Sequence, residues 1–148
     1  MMTIRKCKTE DLAKVSILEE KLFTKPYSLK DLNYELNENP FSNFYVLLDE
    51  SEVVGYLIFL ITFNTSTIDR IAVDKKYQGK GNGQLLMNKM DEILSNKKLM
   101  METCTLEVRK SNLIALNFYK KNKFKEVTIK PHYYDNGEDA IFMVKYYL

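Results

Sequence analysis

The sequence predicts a mixed α/β domain: one mixed sheet with helices on both faces, in the order β-α-α-β-β-β-α-β-α-β-β. Three observations predict it. The apolar run Ile71-Ala72-Val73 leads into a glycine-rich loop and then a helix-like run from Gln84 to Leu94, the outline of a strand–helix–strand crossover. Two apolar stretches, Phe44 to Leu48 and Val53 to Phe63, flank the polar turn Asp49-Glu50-Ser51-Glu52 and read as a hairpin. Thr103 to Val108 alternates, with Cys104, Leu106 and Val108 on one face and Glu107 on the other, as a half-buried strand does. A hairpin demands antiparallel pairing and a crossover parallel pairing, so the sheet must be mixed.

Taken in order, Thr3 to Lys8 alternates as the first strand. Thr9, with Glu10 and Asp11, supplies an N-cap and first-turn acids for a helix to about Phe23, whose buried stripe is Leu12, Val15, Leu18 and Leu22. Lys25-Pro26-Tyr27 breaks the chain, and Ser28-Leu29-Lys30-Asp31 has the form of a capping box for a second helix ending before Pro40. The hairpin follows, then the turn Asn64-Thr65-Ser66 and a strand from Thr67 to Val73. Asn96-Lys97-Lys98 ends the central helix. Ser111 or Asn112 caps a last helix through about Lys121, and Lys125 to Ile129 and Ala140 to Tyr146 close the sheet around the loop Lys130 to Asp139. No repeat, linker or low-complexity tract interrupts residues 1–148, which read as a single domain.

Composition narrows the function classes. Lys and Arg number 22 against 20 Asp and Glu, a formal net charge of +2, so no overall basic field exists to drive direct nucleic-acid binding. Lys120, Lys121, Lys123 and Lys125 cluster as a solvated helix end, where cations complement the dipole, with docking of an acidic or RNA-rich surface left open as the alternative. The two cysteines, Cys7 and Cys104, stand far apart in apolar runs and read as reduced thiols. No metal site is expected. The longest apolar run, Val53 to Phe63, is too short for a membrane span, which needs about 20 residues, and the first residues carry no apolar signal core. The expectation is a cytoplasmic protein without a membrane partner, monomeric or weakly dimeric.

Three of the five glycines fall at Gly79, Gly81 and Gly83, between an apolar strand and a helix start. Glycine lets the backbone turn its N–H groups outward and lets another molecule approach the main chain. At a helix N-terminus those donors make a phosphate site. A Walker-type loop is excluded because Asn82 and Gln84 follow Gly81 and Gly83 where a Lys and a hydroxyl are required. The dinucleotide interval fails as well. What remains is Gln-x-x-Gly-x-Gly, on Gln78, Gly81 and Gly83.

A second constellation is Leu106-Glu107-Val108-Arg109-Lys110-Ser111-Asn112, followed by Ala115, Phe118-Tyr119 and Phe124. Asn112 and Tyr119 share a helix stripe about 10.5 Å apart along the axis, a separation that one elongated ligand could bridge. A carboxylate on a strand face is ordinarily just solvated, and a tyrosine in an apolar helix stripe is ordinarily core.

The glycine loop resembles the pyrophosphate-binding signature of the GCN5-related N-acetyltransferases. The run from Leu106 to Asn112, Phe118-Tyr119, Phe124, Tyr133-Tyr134, Glu138 to Met143, and Phe23 to Ser28 together resemble the RimI type of ribosomal-protein-alanine N-acetyltransferase. The resemblance runs from about Glu19 to Met143. It implies acetyl-CoA as co-substrate and, as acceptor, the N-terminal alanine of a small-subunit ribosomal protein. Glu107 would be the proton acceptor and Tyr119 the proton donor. The cofactor would be held by Ile71, Ala72 and Val73 along its acetyl and pantetheine arm, by Gly79, Lys80, Gly81, Asn82, Gly83 and Gln84 at its pyrophosphate, and by Asn112 along the arm. The residues themselves leave a lysine side chain, a small amine or a non-catalytic coenzyme-binding module open as alternatives. One departure stands out: the family usually has Gly just before the residue at Phe124, where this chain has Lys123, so the left-handed helix cap is expected at Asn122. The tyrosine-rich loop Lys130 to Asp139, with Pro131, His132, Tyr133 and Tyr134, could line a peptide groove or equally pack the sheet edge, and His132 receives no assigned role.

Overall fold

The computed structural model describes residues 1–147. The chain forms two compact units, one of Met1–Ile61 with Ile68–Ile93, the other of Thr62–Thr67 with the residues from Leu94 on. The elements are β1 (Met2–Lys6), α1 (Leu12–Leu22), α2 (Leu29–Asn33), β2 (Ser42–Asp49), β3 (Glu52–Thr62), β4 (Thr65–Val73), α3 (Asn82–Leu94), β5 (Thr103–Arg109), α4 (Leu113–Lys121), β6 (Lys125–Lys130) and β7 (Ala140–Tyr146). Their order is the one expected from the hydrophobic pattern. Hydrogen bonding arranges the strands β1-β2-β3-β4-β5-β7-β6 in a seven-stranded sheet. No helix among the described residues is long and apolar enough to cross a membrane.

In the first unit, β1 runs antiparallel to β2 and β2 antiparallel to β3, so the expected hairpin is present. Alternation splits β2 between two cores. Phe44, Val46 and Leu48 pack with Tyr56 and Ile58 of β3 and with Leu12, Val15, Leu18 and Leu32 from α1 and α2. Leu47, Leu57 and Phe59 are buried on the other face, where Lys89 of α3 lies over the ring of Tyr45, 5.7 Å from its centroid. Helices therefore cover both faces of this unit. A register shift between Leu47 and Leu48 kinks the hairpin. At Gly55 an added Cβ would lie 2.8 Å from the Ala72 carbonyl oxygen, so only glycine allows β3 this close to the end of β4.

In the second unit, β5 and β6 both run antiparallel to β7, while Thr65–Thr67 of β4 pair in parallel with Thr103–Thr105 of β5. This parallel pair, with α3 between its strands in sequence, is the crossover predicted from the glycine loop.

Two local expectations are corrected. Thr9 does not cap α1: a single 3-10 turn, Thr9–Asp11, precedes it. Asp11, held by Arg5 of β1 at 2.7 Å, accepts the Lys8 N–H at 2.8 Å. The Asp11 carboxylate thus closes the turn on the residue that precedes it, and no side-chain oxygen caps an N–H of α1 among the described residues. The left-handed cap after α4 falls on Lys123 (φ 74°) and not on Asn122 (φ −92°). Asn122 is buried and its amide donates to the Phe118 carbonyl at 2.9 Å, which keeps it on the helix and moves the reversal one residue on. The capping box of α2 is as expected: Ser28 Oγ accepts the Asp31 N–H and Asp31 Oδ2 accepts the Ser28 N–H, both at 3.1 Å.

Candidate active site

The glycine loop lies in the first unit. β4 ends at Ile71, Ala72 and Val73, the last two buried, and the chain is tied down immediately beyond. The Asp74 N–H donates to the Val54 carbonyl at 2.8 Å, and Gln78 Nε2 donates to the Val73 carbonyl at 2.8 Å. Tyr77 OH donates to Asp49 Oδ2 at 2.8 Å, and Asn82 Nδ2 to the Tyr77 carbonyl at 2.9 Å. Between these anchors Gly79 and Gly81 adopt φ values of 74° and 83°. An added Cβ at either would meet nothing within 4 Å, so the backbone conformation, not crowding, requires glycine there. The main-chain N–H groups of Gly79, Lys80, Gly81, Asn82 and Gly83 have no hydrogen-bond partner among the described residues. They converge on the start of α3, where the helix dipole adds positive potential. Fixed, unpaired donors of this kind suit a diphosphate.

Glu107, Asn112 and Tyr119 lie in the second unit. On β5 the buried residues are Cys104, Leu106 and Val108, and Glu107 points to the opposite, half-exposed face as alternation required. Its Oε1 accepts a hydrogen bond from Lys130 Nζ at 2.8 Å. Tyr119 projects from α4 with its ring edge-on to Phe118 and Phe124. Burial pushes its phenol well above the ordinary tyrosine range, with smaller contributions from Cys104 and Tyr134. No hydrogen bond from its hydroxyl is made among the described residues. No hydrogen bond joins Glu107 and Tyr119 among the described residues. Asn112 caps α4, its Oδ1 accepting the Ala115 N–H at 3.1 Å, which leaves its NH2 group to meet a ligand.

The loop between β6 and β7 is clasped to the turn after β5. Glu138 accepts from Arg109 Nη1 at 3.1 Å and from the Ser111 N–H at 2.8 Å, and the Ser111 hydroxyl and N–H, followed by Arg109, hold its carboxyl below the usual range. Arg109 also lies over the Tyr134 ring, 4.0 Å from its centroid. His132 takes a left-handed conformation (φ 53°) within this loop.

One cluster escaped the sequence reading. The Glu19 carboxylate is fully buried and accepts from the Tyr27 N–H (2.7 Å), Tyr56 OH (2.6 Å), Arg70 Nε (3.1 Å) and Arg70 Nη2 (3.4 Å). The Arg70 guanidinium is sandwiched by the rings of Phe23 and Tyr27, each at 4.1 Å, and donates to the Lys25 carbonyl. Tyr27 OH donates to Asp69 Oδ1 at 2.8 Å, and burial pushes the Asp69 carboxyl up. Together they fix the segment from Phe23 to Ser28. A cavity of about 210 Å³ opens beside it, lined by Tyr27, Asp31, Tyr34, Glu35, Leu60 and Asp69. The available signals were a charged pair inside the apolar run Ile68-Asp69-Arg70-Ile71, and Glu19 placed one turn after Val15 on the buried stripe of α1.

Comparison with known proteins gives concordant findings. The model of the acetyltransferase (GNAT) family matches residues 12–124. The ribosomal-protein-bS18-alanine N-acetyltransferase of Escherichia coli K12 is 33% identical over 146 residues, covering 97% of this chain and 96% of that protein. The crystal structure of the ribosomal-protein-S18-alanine N-acetyltransferase from Escherichia coli superposes with a TM-score of 0.89 at 29% identity, covering 99% of this chain and 94% of the other. The PaiA N-acetyltransferase of Thermoplasma acidophilum, solved with coenzyme A, shares the fold, with a TM-score of 0.81 at 22% identity over 99% of each chain.

Proposed function

Since the chain belongs to the acetyltransferase (GNAT) family and is an N-acetyltransferase, we propose that it transfers acetyl from acetyl-CoA to the N-terminal alanine of a small-subunit ribosomal protein, with Glu107 as base and Tyr119 as acid. The near full-length likeness to an enzyme named for that reaction carries this reading.

The pyrophosphate of acetyl-CoA is held by the unpaired N–H groups from Gly79 to Gly83 together with Gln84. The pantetheine arm runs along the main chain of Ile71, Ala72 and Val73, with the Asn112 amide as a further donor. An α-amino group has a pKa of about 8 and is largely ammonium at neutral pH, so a proton must leave before nitrogen can attack. Glu107 takes it, directly or through a water. The nitrogen lone pair then forms the C–N bond to the thioester carbonyl carbon, and a main-chain N–H of β4 stabilises the oxyanion. As the C–S bond breaks, its electron pair goes to sulfur and the thiolate takes the Tyr119 proton. The raised phenol matters here, because Tyr119 stays protonated until the leaving group develops charge.

The test is acetylation of three acceptors: a peptide with free N-terminal alanine, the same peptide N-blocked but carrying lysine, and a polyamine. Acetylation of the first alone is expected. Transfer only to the blocked lysine peptide or to the polyamine would replace the acceptor with a side-chain or small-molecule amine. Glu107→Gln is expected to lower turnover most at low pH, where little free amine is present.

A further inference from the structure

Lys130 ends β6, and its Nζ is 2.8 Å from Glu107 Oε1. It reaches there across an intervening strand: Lys130 is paired with Ala140, and Glu107 with Phe142, two residues further along β7 on the same face. The ammonium crosses the Phe142 ring, 4.7 Å from its centroid, and lies 5.5 Å from that of Tyr133. One carboxylate and two aromatic faces form a set of groups that holds an alkylammonium. The Glu107 hydrogen bond is also what most raises the Lys130 pKa, so the lysine is charged across the working pH range. Arg109, another cation on this face, is engaged by Glu138 and Asn136. The loop also brings Tyr133 and Tyr134 to this face, Tyr134 beneath the Arg109 guanidinium.

The acceptor in the proposed reaction is also an alkylammonium when it arrives, and the carboxylate it must reach already holds one. We propose that Lys130 is a built-in stand-in for the acceptor ammonium, a self-ligand on Glu107 that the incoming amine displaces. This rests on the reading of Glu107 as the base. The side chains of the pair are 39% and 22% exposed, and half-exposed ion pairs of this kind are weak enough to exchange. Displacement leaves the lysine beside the acceptor, so Lys130 penalises every cationic acceptor through like-charge repulsion. An amine therefore reaches Glu107 only with additional binding from the rest of its peptide, and Lys130 acts as a specificity-determining residue against small free amines.

The experiment measures acceptor KM and kcat with a free N-terminal alanine peptide and with a polyamine, for the wild type, Lys130→Met, Lys130→Gln, Lys130→Arg and Glu107→Gln, with melting curves to establish folding. Removing the charge is expected to lower peptide KM about fivefold, the size of the Coulomb effect between unit charges in contact at a water-exposed site. It should also raise kcat/KM for the polyamine, while acetyl-CoA KM stays unchanged and Lys130→Arg keeps wild-type values. A purely structural lysine would give the opposite sign, with weaker acceptor binding in both neutral variants. If Glu107→Gln abolishes turnover while neither neutral variant lowers peptide KM, the self-ligand is overturned and the base stands. If Glu107→Gln turns over like the wild type, the base itself falls and this inference falls with it.

Discussion

Replacing Arg70 with methionine tests the cluster that holds the Phe23–Ser28 segment. Glu19 is fully buried and accepts four hydrogen bonds, two of them from Arg70, its only cationic partner among them. Methionine keeps an apolar stem between the Phe23 and Tyr27 rings and removes the charge, so the change isolates the ionic term. A buried carboxylate stripped of its counter-ion costs about 3–5 kcal/mol. Two neutral donors, Tyr56 OH and the Tyr27 N–H, remain and place the expected loss at about 3 kcal/mol, the lower end of that range. For a chain of this length each kcal/mol moves Tm by about 2–4 °C, so a fall of roughly 10 °C is expected. Urea and thermal unfolding followed by circular dichroism at pH 7 measure it. The cycle with Glu19→Gln supplies the control: once Glu19 is neutral, Arg70→Met should cost at least about 1 kcal/mol less than in the wild type. A loss under about 1 kcal/mol, or strictly additive single and double variants, would refute the argument that Arg70 neutralises Glu19.

Three further outcomes are expected. Gly81→Ala forces a left-handed backbone on a residue with a Cβ, at about 1–2 kcal/mol, with no clash because the position faces open space. Its coenzyme A affinity, read by titration calorimetry, should fall roughly tenfold, as the loss of one charge-assisted hydrogen bond would give. Tyr119→Phe removes the proposed acid from a half-buried side chain and keeps its ring contacts with Phe118 and Phe124, so Tm should hold while kcat falls by about 10²-fold, the usual worth of one general acid. Asp69→Asn addresses pH. Burial raises this carboxyl in the folded chain, so the folded state binds the proton more tightly, and stability is lost as pH climbs from the unfolded value of 3.8 through the raised one. Asparagine can still accept from Tyr27, so the variant should melt higher than the wild type at pH 7, with the gap closing at pH 3; an equal gap at both would contradict the sign.

The features legible in the sequence were those that neighbouring residues determine. Gly79 and Gly81 announce left-handed backbone, Ser28 with Asp31 announces a capping box, and alternation from Thr103 to Val108 places Glu107 opposite the buried face; each needs only a few consecutive residues. The cap after α4 was misplaced because Asn122 is held by a side-chain bond to Phe118, a contact that propensity does not encode. Glu19 was visible as a charge on an apolar stripe, but its partners Tyr56 and Arg70 are 37 and 51 residues away and meet it only once β3 and β4 are in register. Lys130 reaches Glu107 across 23 residues through the pairing of both their strands with β7. The same division separates cofactor from acceptor. A diphosphate is gripped by consecutive main-chain amides, so a short motif suffices to name it. The groups proposed to meet the acceptor, Glu107 and Lys130, are joined by a long-range side-chain pair instead. Lys130–Glu107 is the pair proposed to bear on acceptor choice, and substitutions that conserve it should preserve that choice even where the intervening sequence diverges.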